Sequence, residues 1–161
     1  MNGVDVVRYD LSDKSVTSVL NSKYREINPS VSNNGRYILY SSNESGRGEI
    51  YVSELGGDGG RWQISNEGGY SPKWSHDNSE IFYWHIDDLM TVDVDMAGGK
   101  FKVSQPKKLF TRELNYAGDF SIFRYDVAKD GQKFLLNVHL QTQTQFDNII
   151  VVQNWLEELE N

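Results

Sequence analysis

Pro29-Ser-Val-Ser-Asn-Asn-Gly35-Arg-Tyr-Ile-Leu-Tyr40 is the stretch whose reading decides the fold, because the chain repeats it. A second copy runs Pro72-Lys-Trp-Ser-His-Asp-Asn78-Ser-Glu-Ile-Phe-Tyr83, and a third runs Tyr125-Asp-Val-Ala-Lys-Asp-Gly131-Gln-Lys-Phe-Leu-Leu136. In each, a polar turn with Gly or Asn at one fixed place leads at once into a dense apolar run. Gly35, Asn78 and Gly131 share that place and follow Asn34, Asp77 and Asp130. These pairs suit a turn with positive φ, where Gly meets no steric cost and Asn tolerates the conformation best among the rest.

The runs after the turn, Tyr37–Ser41, Glu80–His85 and Lys133–Val138, are rich in β-branched and aromatic residues. Ile38-Leu39-Tyr40 and Ile81-Phe82-Tyr83-Trp84 do not alternate with polar residues, as expected of strands buried on both faces. Working outward, a third strand is expected at Glu49–Leu55, Leu89–Asp95 and Asn148–Gln153. After the glycine-rich bends Gly56-Gly-Asp-Gly-Gly60 and Ala97-Gly98-Gly99, a fourth is expected at Arg61–Ser65 and Lys100–Val103, with Lys107–Phe110 leading on. Asp5–Leu11 and Ser15–Leu20 fit as the third and fourth strands of an earlier unit. The count is about thirteen strands, grouped two, four, four and three. The first two copies begin about 43 residues apart and the third about 53 further on, the excess falling in Thr111–Arg124. Repeats of this length are the signature of stacked β units such as propeller blades. The expected fold is therefore all-β: a β-propeller fragment of about three four-stranded antiparallel blades. The boundaries are 1–22 for the end of a blade, 23–65 and 66–110 for two blades, and 111–161 for a last, degenerate blade with a tail. The tail, Asn154-Trp-Leu-Glu-Glu-Leu-Glu160, carries the one helix signal, with Asn154 as cap.

Composition bounds the function. A hydrophobic content of 38% fits a folded chain, and a formal charge of −7 argues against a surface that grips nucleic acid or anionic lipid. With no cysteine there is neither disulfide nor thiol chemistry. No run approaches the roughly 20 apolar residues of a membrane helix, and the first residues lack the pattern of a signal peptide.

The repeat phrase resembles that of the TolB-like, WD-repeat-like β-propeller family. Pro29, Ser32, Asn34 and Gly35 carry the likeness in the first copy. Pro72, Trp74, Ser75 and Asp77 carry it in the second, with Asn78 in place of the usual Gly. The third keeps Asp130 and Gly131 but has Tyr125 for Pro and Ala128 for Ser. The order of Trp62-Gln-Ile-Ser65, Lys107-Lys-Leu-Phe110, Asp130-Gly-Gln-Lys-Phe134 and Asn154-Trp155 is similar to the last blades of larger bacterial proteins in which a propeller follows a kinase or winged-helix module. The resemblance implies half of a six-bladed ring, a periplasmic or extracytoplasmic setting, and a non-catalytic sensor or scaffold role. It also leaves open the gating propeller of a prolyl-oligopeptidase-like hydrolase.

No catalytic, cofactor or metal site is expected. The nucleophile-elbow, zincin and phosphate-loop patterns are missing from the sequence, and Gly56–Gly60 precedes no helix and reads as a hairpin loop. His85 beside Asp87 and Asp88 reads as a strand end running into a turn, ahead of a metal ligand. His76 is expected in the exposed turn, His139 at a strand end, and Asp93 and Asp95 on a solvated strand face. Asn43-Glu-Ser45 fits a glycosylation pattern. Trp74 holds a repeat position, so packing between blades is expected of it. Three reading classes result: a module binding a protein or peptide, part of an enzyme, or a structural unit. In the last, two copies join head to tail or pair with missing blades, because open blade edges invite pairing.

Overall fold

The computed structural model describes residues 5–56, 59–112 and 125–138. Among these residues it is all-β, with thirteen strands in four antiparallel sheets and one 3-10 turn at Ala97–Gly99. β1 (Val6–Tyr9) pairs with β2 (Val16–Leu20). β3 (Glu26–Val31), β4 (Tyr37–Ser42), β5 (Glu49–Glu54) and β6 (Arg61–Gln63) form a meander in chain order. β7 (Tyr70–Trp74), β8 (Glu80–His85) and β9 (Asp88–Asp95) do the same, and β9 then pairs with both β10 (Lys102–Val103) and β11 (Lys107–Thr111). β12 (Tyr125–Val127) pairs with β13 (Phe134–Leu136).

Lys107–Phe110 continues the same sheet: β11 lies on β9, with Lys107 opposite Thr91 and Thr111 opposite Asp88. β10 and β11 together fill the fourth-strand place, interrupted around Pro106, which has no N–H to donate to a ladder. Asn148–Gln153, His139, the tail 154–160 and most of Thr111–Arg124 lie outside the described residues.

The second strand of each sheet explains the stacking. In β4, Ile38 and Tyr40 pack back on β1–β2, while Tyr37 and Leu39 pack forward on the β7–β11 sheet. In β8, Ile81 and Tyr83 pack back and Phe82 and Trp84 forward onto β12–β13. In β13, Phe134 and Leu136 again pack back. Successive side chains of a strand point to opposite faces; here both faces are covered, so alternation of polarity vanishes. Leu39, Ile81 and Trp84 are wholly buried, each such side chain contributing about 1.5–3 kcal/mol.

The repeat phrase builds one turn twice over. The Ser32 N–H donates to the Tyr37 carbonyl and the Gly35 N–H to the Ser32 carbonyl, at 2.9 and 2.8 Å. The Ser32 hydroxyl accepts from the Tyr37 N–H and donates to Asn34 Oδ1 at 2.7 Å. At the second copy the Ser75 hydroxyl accepts from the Glu80 N–H at 2.9 Å and donates to Asp77 Oδ1 at 2.8 Å. Gly35, Asn78 and Gly131 have φ of 70°, 60° and 68°. In the third copy the backbone bonds Ala128–Lys133 and Gly131–Ala128 persist, and Asp130 Oδ1 accepts from the Gln132 N–H, but Ala128 has no hydroxyl to complete the network.

The prolines also follow a rule. Pro29 and Pro72 sit where the pairing of β3 with β4 and of β7 with β8 skips a residue. Both lie on the terminal strand of their sheet, and a bulge on such a strand accommodates a residue with no N–H. Each proline follows a residue in the left-handed region, Asn28 at 56° and Ser71 at 51°. Tyr125, in the proline's place, pairs directly with Leu136.

Ser75→Ala leaves the Glu80 N–H short of an acceptor and should cost about 1–3 kcal/mol, whereas Ala128→Ser should be neutral or stabilising. Urea midpoints of the two variants check this, and a larger loss from Ala128→Ser than from Ser75→Ala would contradict it. Hydrogen bonds from the Ser79 hydroxyl and N–H and from the Ser75 hydroxyl hold Asp77 down to about 2 from an ordinary 3.8. A depressed carboxylate stabilises above its unfolded value and loses that contribution as pH falls toward the folded one. The stability deficit of Asp77→Ala should thus be full at pH 6 and shrink between pH 4 and 2, as read by urea denaturation across that range.

Candidate functional site

At the strand ends opposite the repeat turns, a cleft of about 580 Å³ opens between the two complete sheets. Its walls follow from the strand order. β3 supplies Ile27, and Arg25 lies just before that strand. The end of β4 supplies Ser41 and Ser42, and the end of β8 supplies His85. The loops after β4, β6 and β8 add Gly48, Gly68, Gly69, Ile86 and Asp87, and Tyr70 begins β7.

A buried acid holds the loop on which one wall rests. Glu49 is 1% exposed, yet its carboxylate accepts from the Arg47 guanidinium at 2.7 Å, the Gly68 N–H at 2.9 Å and the Ser65 hydroxyl. A buried charge is tolerable when its lone pairs are filled in this way. The same charge, after burial itself, helps push the Tyr83 hydroxyl up to about 12. Gly69 closes the seam: its N–H donates to the Gly48 carbonyl at 2.9 Å, and a Cβ there would stand 2.7 Å from Ile50 Cγ1 and 2.9 Å from Ser65 Oγ. The cleft surface is mixed. Ile27, Tyr70 and Ile86 are apolar, Arg25 is cationic, and Glu67 and Asp87 are anionic. The Ser41 hydroxyl is buried without a hydrogen-bond partner among the described residues. Apolar walls with a few polar groups suit capture of a side chain and of extended backbone.

The residues singled out from the sequence mostly lie elsewhere. Ser32, Gly35, Ser75, Asp77 and Asn78 form the turns at the opposite strand ends, where neighbouring repeats touch. The Asn33 N–H donates to Asn78 Oδ1 at 2.8 Å, and its side-chain amide donates to the His76 carbonyl. His76 is exposed there. Pro29 is exposed and Pro72 buried in the two bulges. Trp74 is in the core between the complete sheets, its indole N–H donating to the Ser30 carbonyl at 3.2 Å and its ring edge-on to Phe101. Trp84 is buried between the β7–β11 sheet and β12–β13, against Tyr125 and Phe110. Asp130 and Gly131 lie in the third turn.

His85 does enter the cleft wall. Its Nδ1 faces the Gly68 carbonyl at 3.3 Å, while Asp88 binds the Thr111 hydroxyl and lies 3.5 Å from Lys108. The Thr111 hydroxyl, then Lys108, holds Asp88 below the usual carboxylate range. Among the described residues no three His, Cys, Asp or Glu side chains converge to hold a metal. Asp93 and Asp95 are exposed, and Asp93 pairs with Lys107 at 2.9 Å. The cleft itself was not legible in the sequence; Gly68-Gly69-Tyr70 ahead of Ser71-Pro72 is the one local sign, a tight backbone approach before a strand.

Compared with known proteins, the chain matches no family model and no curated protein.

Gly69→Ala should lower stability by about 1–3 kcal/mol through overpacking against Ile50 and Ser65. Circular dichroism melts check this, and an unchanged melting temperature would contradict the tight seam.

Proposed function

We propose that the chain is a run of consecutive blades from a TolB-like β-propeller, the C-terminal part of a larger bacterial protein. In this reading it works as a non-catalytic interaction or sensor module that takes a protein or peptide partner. The observation that carries the reading is the repeated stacking rule. Ile38 and Tyr40, Ile81 and Tyr83, and Phe134 and Leu136 hold corresponding places after their turns, and each pair packs on the preceding sheet. Sheets that stack face to face, with strands largely in chain order, support a reading as blades around an axis. A rigid scaffold of this kind presents its loops for binding.

The cleft between the two complete sheets is the place the partner would enter. Its exposed Ile86, its Tyr70 ring and its backbone at Gly48 and Gly69 suit an extended peptide with one apolar side chain seated between the sheets.

Peptides selected from a random display library on the full chain test this. Affinities of the selected peptides, read by fluorescence anisotropy, should fall at least about tenfold (1.4 kcal/mol) on Ile86→Asp or Arg25→Glu and stay unchanged on Val16→Asp, far from the cleft. Selected peptides indifferent to both cleft variants would overturn the assignment.

A further inference from the structure

Asn-Gly occurs at Asn2-Gly3 and Asn34-Gly35, and the second pair lies among the described residues. Asn34 holds the place that Asp77 and Asp130 hold in the other two turns. Its Oδ1 accepts from the Ser32 hydroxyl at 2.7 Å and from the Arg36 N–H at 3.0 Å. Asp77 Oδ1 accepts in the same way from the Ser75 hydroxyl at 2.8 Å and the Ser79 N–H at 3.0 Å. Asp130 Oδ1 accepts from the Gln132 N–H at 2.9 Å. One side-chain oxygen serves every turn, and in the second and third copies it belongs to a carboxylate.

We infer that Asn34 converts to aspartate in the folded chain, so that the first turn acquires the carboxylate the other two already carry. The step needs only water. The Gly35 nitrogen attacks Asn34 Cγ and gives up its proton to solvent, and Nδ2 leaves as ammonia. Water then adds to Cγ of the cyclic imide and breaks the Cγ–N bond. The Gly35 nitrogen takes back a proton, and Cγ keeps two oxygens as a carboxylate.

The geometry favours this residue. Nothing lies within 4 Å of where a Gly35 Cβ would stand, so the nitrogen is open to approach. As Cγ becomes tetrahedral, charge gathers on Oδ1, and the two donors already bonded there stabilise it as an oxyanion hole does. The Gly35 N–H donates to the Ser32 carbonyl at 2.8 Å, which enriches its nitrogen in electron density. Asn34 is exposed, so water reaches the imide. Among the other described asparagines, Asn28 precedes Pro29, whose nitrogen has no hydrogen to lose, and the rest precede residues with a Cβ.

The turn also selects the product. Opening the imide at the backbone carbonyl instead would leave isoaspartate and insert a carbon into the chain between residues 34 and 35. The bonds from the Gly35 N–H to the Ser32 carbonyl and from the Ser32 N–H to the Tyr37 carbonyl span that link and need the ordinary backbone. Aspartate keeps both. It loses the donation from Asn34 Nδ2 to Met96 Sδ at 3.3 Å, a contact with the chain just after β9 in the next sheet. The conversion thus exchanges one contact between sheets for a further negative charge on a chain of formal charge −7.

Trypsin, cutting after Arg25 and Arg36, releases residues 26–36 as one peptide, and its fragment masses report each asparagine separately. With the full chain held folded at pH 8, acid should appear at residue 34 at least about tenfold faster than at Asn33, whose amide oxygen lacks the two donors. The product should co-elute with the same peptide from an Asn34→Asp chain. Ser32→Ala removes one donor and should slow the conversion about tenfold or more, while Ser32→Thr keeps the hydroxyl and the rate. A comparison that needs no variant to fold is the unmodified chain in urea, where conversion should be no faster than in the folded chain. Conversion at 34 no faster than at Asn33, faster conversion in urea, or isoaspartate as the main product would overturn the inference. None of these readouts involves peptide capture at the cleft, so this inference and the binding reading fail separately.

Discussion

Everything in this molecule depends on the second strand of each sheet being covered on both faces. A strand whose odd and even side chains must both leave water has to lie between two other layers. Ile38 and Tyr40 need the sheet before them, and Leu39 needs the sheet after. No single sheet meets that demand alone, so the fold is a stack. The aromatic residues follow the same demand. Tyr37, Trp62 and Phe101 meet between the complete sheets with centroids 4.6–6.0 Å apart, and Trp84, Phe110, Phe134 and Tyr125 do so in the next layer. Tilted and edge-on contacts of this kind add to the burial of the rings.

The polar chemistry divides the stack into two ends with different duties. At the turn end, short side chains close on their own backbone: Ser32 with Asn34, Ser75 with Asp77. Those bonds fix the angle at which each apolar strand leaves its turn. At the other end, longer charged residues hold loops that differ from one sheet to the next. Glu49 anchors one such loop with Arg47, Ser65 and Gly68, and Asp88 meets Thr111 and Lys108 at the corresponding place. The cleft lies at this variable end, where loop chemistry changes without disturbing the turns.

The sequence was most legible where one residue type answers one steric need. Gly35, Asn78 and Gly131 mark positive φ, so strand starts were readable to within a residue or two; the bulges at Pro29 and Pro72 were not read. The faces of the apolar runs were less so, because a strand buried on both sides carries no alternation to say which neighbour each side chain meets. The partner of Lys107–Phe110 was not legible: the run reads as a continuation after the fourth strand, and only in three dimensions does it pair with β9 beyond the interruption at Pro106. The cleft was illegible for a different reason: Arg25, Ser41, Gly69 and Ile86 are far apart in the chain and come together only through the offset of two sheets.

The meander order within every sheet has a mechanical consequence. Strands bond in chain order, β11 alone passing over β10 to pair with β9, and each sheet leans only on the sheets beside it, so contacts between distant parts of the chain are few in kind. Such an object loses structure layer by layer from its ends, and the interior layers, held on two sides, are the last to exchange their amide protons. Trp84 and Tyr37, one in each interior layer, would thus be optical reporters of the deepest step of unravelling, and Tyr9 of the shallowest.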